Sequence, residues 1–172
     1  MTTGIHLTDG VITLRLRTLD DIAAQIAGQD HEMQRWLGWD PATAANVTAM
    51  IEASMDSLAH GVMRFDLGIR DTVSDALIGN SLANFADPLL APGEVNIAYA
   101  VFPAWRGRGV AGRVVDLLCD WLRPHPAART AVLKIDAGNT ASRRVAERAG
   151  FERAGFIADD HVSYDRYVRD VT

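Results

Sequence analysis

Alternation of apolar and polar residues predicts strands in four stretches of the first part of the chain. Residues 11–16 alternate as a strand with one buried face does. Residues 62–69 and 76–85 flank a turn at 71–75 and predict a hairpin. Residues 94–101 alternate most clearly, so their side chains divide between the two faces of a sheet. One face carries Val95, Ile97, Tyr99 and Val101, and the other carries Glu94, Asn96, Ala98 and Ala100.

Apolar residues at helical spacing predict helices between these strands. An acidic pair opens a short helix over 20–27, because acidic side chains stabilise the positive end of the helix dipole. Residues 35–41 are typical of a loop or a helix end, and Pro41 is expected to start the next helix. That helix is expected to end at Gly61. Its predicted apolar face consists of Val47, Met50, Ile51, Met55 and Leu58.

The second half of the chain alternates between helices and strands. A loop at 103–112 leads into a helix, which is followed by a short strand at 131–135 and a second helix that ends at Gly150. Two strands close the chain. The apolar stripe of the first helix consists of Val110, Val114, Leu117, Leu118 and Trp121. A strand–helix–strand crossover joins parallel strands, whereas the earlier hairpin is antiparallel, so the sequence predicts one α/β domain over 1–172 with a mixed sheet.

The amino-acid composition is that of a globular protein. The chain has 172 residues, of which 48% are hydrophobic and 23% are charged, as in one globular domain. Its single cysteine, Cys119, excludes an internal disulfide bond and lies in an apolar helical pattern. We find no secretory leader and no apolar run near the ~18 residues that span a bilayer. We therefore expect a cytoplasmic protein that does not bind membranes.

Charge is unevenly distributed along the chain. The net charge is −5, yet residues 101–153 contain ten basic and five acidic side chains. A basic segment in an acidic protein indicates a local anion site and argues against a general nucleic-acid surface. The rest of the chain is acidic. This acidic part is either an ordinary solvated surface or a surface that attracts a cationic partner. The five histidines are scattered without the spacing of metal ligands, so we expect no metal site.

The loop before the first long helix of the second half carries the strongest chemical signal. Glycines allow close approach of the backbone to a ligand, and the free N–H groups of a helix start favour an anion. Arginines add donors that suit phosphate oxygens. The loop therefore predicts a pyrophosphate cradle. It consists of Arg106, Gly107, Arg108, Gly109, Val110, Ala111 and Gly112.

The same loop also matches the Gly-x-Gly-x-x-Gly pattern of dinucleotide-binding proteins, and Asp136 ends the next strand. An NAD(P)-dependent oxidoreductase is therefore an alternative. Three observations argue against it. The loop starts so late that only ~60 residues follow for a fold that usually has six strands. Four residues, 103–106, separate the strand from the glycines, and the arginines are unusual for a site that relies on backbone contacts.

The loop at 106–111 resembles the coenzyme A pyrophosphate motif of the GNAT N-acetyltransferases, Arg/Gln-x-x-Gly-x-Gly/Ala. Downstream, Asn139-x-x-Ser142 and the Gly-Phe pair at 150–151 resemble the ribosomal-protein N-terminal acetyltransferase (RimJ/RimL-like) branch. The strand at 96–99 is similar to that branch's Glu-Ile-Gly-Tyr. Near the beginning, residues 14–17, 20–21 and 35–37 are also similar to that branch, so the resemblance covers most of the chain.

The resemblance implies a mostly antiparallel mixed sheet in which two central parallel strands, 94–101 and 131–135, splay apart. Acetyl-CoA is the implied co-substrate. Its pyrophosphate is expected on the amides of 107–112, and its pantetheine arm in the gap beside Val101 and the rest of the first strand. Asn139 and Ser142 are expected near the pantetheine and the sulfur. No metal takes part.

The reaction implied is direct attack of a neutral amine on the thioester. A backbone N–H near Val101 or Phe102 is the expected oxyanion donor, and Ser142 is expected to stabilise the leaving thiolate. A plain role for Ser142 in the first turn of its helix is equally open. Glu94 is the candidate base and would act through a water. The alternative is that Glu94 is a solvated carboxylate at a strand end.

Two positions depart from the family pattern. Asn96 stands where the related branch has Glu, and an amide cannot accept a proton at neutral pH. Ala146 stands where many members have a tyrosine that serves as the acid. These departures keep open a second alternative, a module that binds acyl-CoA without transferring the acyl group.

The acceptor pocket is expected between the N-terminal helices, the loop at 88–92 and the last strands. Trp36 and Trp39 are candidates for its walls, although core packing explains either one. The acidic remainder favours a cationic acceptor, either a protein N-terminus or a small-molecule amine. Homodimers occur in the branch that the chain resembles.

Overall fold

The computed structural model describes residues 5–38, 40–158 and 163–172. One mixed sheet contains eight strands in the order β1-β2-β3-β4-β5-β6-β8-β7. The strands are β1 (His6–Thr8), β2 (Ile12–Leu16), β3 (Arg64–Asp71), β4 (Leu77–Asn84), β5 (Glu94–Val101), β6 (Thr130–Ile135), β7 (Glu152–Ala158) and β8 (Ser163–Asp170). The helices are α1 (Ile22–Gly28), α2 (His31–Leu37), α3 (Ala44–Ala59), α4 (Val110–Leu122) and α5 (Thr140–Arg148).

The sheet is antiparallel except at its centre, where β5 and β6 run parallel. Helix α4 connects these two strands, so the parallel pair comes from a strand–helix–strand crossover. The predicted mixed sheet with a central parallel pair, and the predicted hairpin of β3 and β4, are confirmed. Within the described residues, we find no helix that is both long enough and apolar enough to cross a membrane.

The main core lies between the sheet and helices α4 and α5. The alternating face of β5 predicted to be apolar contributes to it, and so does the predicted stripe of α4. Five of its fully buried side chains are Leu14, Leu67, Val95, Val114 and Leu118. Each such side chain contributes roughly 1.5–3 kcal/mol through burial. This core holds the N-terminus of α4 against β5.

The opposite face of the sheet is covered by α1, α2 and α3 and contains buried charges. Arg70 pairs with Asp21, and Arg17 lies 3.7 Å from Asp66. Burial lowers the pKa of Arg17. Helix α1 ends against Phe102, the residue after β5, since a Cβ on Gly28 would lie 2.2 Å from the Phe102 ring. The connection between α1 and α2 is thereby held beside the C-terminal end of β5.

Helix α3 differs from its prediction in start and face. It begins at Ala44 and not at Pro41, because Thr43 and Asn46 form a capping box. The Thr43 side chain accepts from the Asn46 amide, and the Asn46 side chain accepts from the Thr43 amide. The predicted apolar face was wrong at Met55, whose surface is 56% exposed. The buried positions are Val47, Ile51 and Ser54. Val47 and Ile51 belong to the predicted face, whereas Ser54 is buried in place of the neighbouring Met55.

Candidate active site

Strands β5 and β6 separate after a short paired segment. Only three residue pairs join them, from Glu94 opposite Thr130 to Asn96 opposite Val132. Beyond this point β5 continues to Val101 beside β4 alone. Backbone groups that would pair in a continuous sheet are therefore presented to a gap. The splay implied by the family resemblance is present.

The alternation of backbone direction shows which groups face the gap. The N–H of Phe102 donates to the Ile78 carbonyl at 2.9 Å, so the backbone N–H of Phe102 points towards β4. Neighbouring residues in a strand point the opposite way, so the N–H groups of Val101 and Tyr99 are directed into the gap. Of the two oxyanion donors expected, Phe102 is engaged in the sheet, which favours Val101.

The start of α4 closes one end of the gap. Gly107 has φ of 70° and Gly109, the N-cap of α4, has φ of 78°. Both angles lie in the left-handed region that side chains with a Cβ avoid. No side chain caps α4, and a Cβ on Gly107, Gly109 or Gly112 would meet open space. The first-turn amides and the positive end of the helix dipole are thus available to an anion.

The two arginines of the loop, and Arg113 in the first turn of α4, have protein partners. Arg106 donates to both carboxylate oxygens of Asp30, at 2.7 and 2.8 Å, to Glu32 at 2.8 Å and to the Val101 carbonyl at 2.9 Å. Arg113 pairs with Asp9 at 2.6 Å, and the Arg108 guanidinium lies 5.1 Å from the centroid of the Trp105 ring. Arg106 therefore acts as a brace between loop, strand and helix, and the uncapped backbone amides at the start of α4 remain available to an anion.

Electrostatics hold this brace in place. Hydrogen bonding to Arg106 lowers the pKa of Asp30, and the same contact raises the pKa of Arg106. Both groups therefore stay charged at neutral pH. Asp30 also caps α2 by accepting from the Met33 amide at 3.0 Å. One carboxylate thus connects the start of α2 to the loop before α4.

A cavity of about 530 Å³ extends from the α4 N-terminus through the gap. It is lined by residues 97–101 of β5 and by residues of α4 and α5. On the other side of the sheet it reaches α2 and the end of β6. The cavity therefore joins the uncapped start of α4 to a second opening on the opposite face. No group of three or more potential metal ligands is found among the described residues.

Asn139 and Ser142 line this cavity from α5. Asn139 is the N-cap, and its side chain accepts from the Ser142 amide at 3.0 Å. Because Asn139 performs the capping, the Ser142 hydroxyl is left for another partner. That partner is the phenol of Tyr99, with the two oxygens 2.9 Å apart. Sequence reasoning placed Tyr99 on the correct face of β5 but missed this contact.

Glu94 is not brought to the cavity. It lies where β5 and β6 are still paired, and its carboxylate accepts from Arg166 and from the Ala91 amide. Asn96 is buried in the sheet, and Ala146 lies fully buried in the core. None of the three lines the cavity, so the carboxylate of Glu94, the candidate base, does not reach it.

The opening on the α2 side has an aromatic wall. The Trp36 ring packs on the loop after β6, since a Cβ on Gly138 would lie 3.4 Å from it. Asp136 and Lys134 line the same opening, and Lys134 pairs with Asp87 at 2.7 Å. Trp39 lies outside the described residues. The loop at 88–92 does not contribute to the described lining, contrary to the expected pocket.

Comparison with known proteins agrees with this geometry. A model of the acetyltransferase (GNAT) domain family matches residues 12–152. A search among curated proteins finds no match. Among solved structures, the fold is similar to RimL, a ribosomal alpha-N-protein acetyltransferase, with a TM-score of 0.80, 18% identity, and coverage of 97% of this chain and 94% of that chain.

Two further structures extend the comparison. Mycobacterium smegmatis RimJ in complex with CoA-disulfide has a TM-score of 0.79 and 18% identity, with 97% of this chain and 86% of that chain covered. Aminoglycoside acetyltransferase AAC(6')-Ib in complex with coenzyme A has a TM-score of 0.76 and 21% identity, with 92% and 94% covered. The oxidoreductase alternative has no support, since one parallel strand pair does not make a dinucleotide-binding sheet. Because the family model spans most of the chain, this protein belongs to the GNAT family of acetyltransferases, which take the acetyl group from acetyl-CoA.

Proposed function

We propose that this protein transfers the acetyl group of acetyl-CoA to a primary amine, which enters through the opening beside Trp36. The observation that carries the proposal is the continuous cavity. It joins the uncapped N-terminus of α4, the gap between β5 and β6, and an opening on the opposite face of the sheet. A phosphate-bearing donor and an amine can thus meet within the gap from two sides.

The residues divide the work as follows. The amides from Gly107 to Gly112 would hold the pyrophosphate, and the exposed backbone of β5 would bond the pantetheine arm. The N–H of Val101 would donate to the oxyanion as the amine attacks. Ser142 would donate to the sulfur as the carbon–sulfur bond breaks. Glu94 has no role in proton transfer in this proposal, because its carboxylate accepts a hydrogen bond from Arg166.

Charge at the second opening favours a cationic acceptor. Asp136 lines it, and the cation of Lys134 is neutralised by Asp87. Glu32 shares the single cation of Arg106 with Asp30. The Asp136 side chain accepts from the Gly138 amide at 2.7 Å through one oxygen. An ammonium group would therefore be drawn to this side. A protein N-terminus and a small-molecule amine both satisfy this chemistry.

Thermal unfolding with acetyl-CoA, coenzyme A, NAD and NADP tests the donor. A ligand at one hundred times its dissociation constant stabilises the fold by about 2.7 kcal/mol, so we expect acetyl-CoA and coenzyme A to raise the melting temperature. NAD and NADP should leave it unchanged. Release of free thiol is then measured with cationic peptides and small amines. Tight acetyl-CoA binding without thiol release from any of them would favour the non-catalytic module.

The Ser142→Ala variant tests the leaving-group role. A hydrogen bond to a charged group contributes about 1.5–3 kcal/mol, so we expect the turnover rate to fall about ten- to one-hundredfold with little change in acetyl-CoA affinity. Steady-state kinetics and calorimetric binding measure the two effects. Thr140→Ala is the matched control, because the Thr140 hydroxyl lies in the same helical turn and makes an exposed contact with Arg143. An unaffected Ser142→Ala rate would remove this residue from the mechanism.

A further inference from the structure

Two hydroxyl groups meet across the cavity. Tyr99 lies on β5 and Ser142 in the first turn of α5, on the two sides of the gap, and their oxygens are 2.9 Å apart. Both residues line the cavity. The contact therefore lies where the proposed function requires the thioester sulfur to lie, and it is fixed to secondary structure on both sides.

The direction of this hydrogen bond decides what it can do. A serine hydroxyl has one hydrogen to donate and two lone pairs to accept with. If Tyr99 donates to the Ser142 oxygen, the hydrogen of Ser142 is free to point into the cavity. If Ser142 donates to Tyr99, that hydrogen is used within the protein. A phenol is the stronger donor of the two hydroxyls, which favours the first arrangement.

Burial acts in the same direction. It raises the pKa of Tyr99, so the phenol keeps its proton at neutral pH and remains a donor. Ser142 has no competing duty at the helix start, since Asn139 caps the helix and bonds the Ser142 amide. Hydrogen bonds in a chain strengthen one another, so the Ser142 hydroxyl becomes a better donor when it accepts from Tyr99.

We propose that Tyr99 is a positioning residue that donates to Ser142 and thereby directs the Ser142 hydrogen to the leaving sulfur. This inference rests on the proposed function. The amine nitrogen forms the new carbon–nitrogen bond and releases one proton to solvent. The carbon–sulfur bond breaks with its electron pair going to sulfur, and the Ser142 hydrogen bond stabilises that charge. No proton leaves Tyr99. The pair thus supplies a donor in a chain whose Ala146 has no hydroxyl and lies in the core.

A double-mutant cycle on Tyr99→Phe and Ser142→Ala tests the coupling. Phenylalanine keeps the ring that packs on the core, so we expect an unchanged melting temperature and acetyl-CoA KM, with kcat lowered about tenfold. In the Ser142→Ala background, Tyr99→Phe should lower kcat less than about twofold, because its effect passes through Ser142. Additive losses, or a full wild-type kcat for Tyr99→Phe, would overturn the inference.

A second measurement needs no acceptor. The thiolate absorbance of bound coenzyme A is titrated with pH in the wild type and in the three variants. We expect the lowest thiol pKa in the wild type and a rise of about one unit in each variant, since one unit corresponds to about a tenfold change. Equal thiol pKa values in all four proteins would contradict the inference. If the thiol pKa of bound coenzyme A were lower in the wild type than in the variants, but the wild type transferred no acetyl group, only the proposed function would be contradicted.

Discussion

Replacing Arg106 by glutamate is expected to abolish detectable acetyl-CoA binding. The arginine holds three elements together, since it bonds Asp30 and Glu32 near the start of α2 and the carbonyl of Val101 at the end of β5. Glutamate at this position would place a third carboxylate among two others. The loop that presents the Gly107–Gly112 amides would lose its anchor, and an anionic ligand would meet added negative charge.

The expected size follows from the lost contacts. Hydrogen bonds to charged groups contribute about 1.5–3 kcal/mol, so we expect a loss of about 2 kcal/mol or more in unfolding free energy and at least about one hundredfold in acetyl-CoA affinity. Chemical denaturation and calorimetry measure these quantities. Arg108→Glu is the matched control, because it makes the same change of charge in the same loop but loses only the contact with Trp105. Equal losses in both variants would show that loop charge, and not the brace, governs binding.

The Gly109→Val variant is expected to lose both stability and acetyl-CoA affinity. Gly109 has φ of 78°, where a side chain with a Cβ costs roughly 1–2 kcal/mol and a branched one costs more. Its Cβ would meet no protein atom and would instead stand in the space at the start of α4. We therefore expect at least about a tenfold loss of acetyl-CoA affinity beyond the loss of stability.

Gly61 offers a control with the same backbone angle. It also has φ of 78° and open space around its Cβ, but it follows α3 and does not line the cavity. Gly61→Val should lower the melting temperature to a similar extent and leave acetyl-CoA affinity unchanged. Denaturation and binding are measured on both variants. If Gly109→Val bound acetyl-CoA as tightly as Gly61→Val, the start of α4 would not be the pyrophosphate site.

Local sequence signals predicted the elements that carry the site. The alternation along β5 assigned Tyr99 and Val101 to one face, as the structure shows. The glycines of the loop were predicted to let the backbone approach a ligand closely, and the left-handed φ angles of Gly107 and Gly109 agree with this. Such features depend on residues within one turn or one strand, so a single sequence contains the information.

Side-chain partners could not be read in the same way. The arginines of the loop were expected to face phosphate, but Arg106 bonds Asp30, which lies 76 positions away in the sequence. Glu94 was considered as a base, but it pairs with Arg166 after a separation of 72 positions. Each partner comes from a different strand or helix, and a charge pattern along the chain does not specify which opposite charge it will meet.

The sequence by itself determined the mixed sheet, the glycine loop at the start of α4 and the family to which the chain belongs, because each depends on local periodicity or on short motifs. Only the tertiary structure decided which backbone amides face the gap, that Arg106 braces the loop, and that Tyr99 bonds Ser142 across 43 positions. These depend on how β5, α2 and α5 are placed relative to one another. That placement results from packing the whole core, which no local segment specifies.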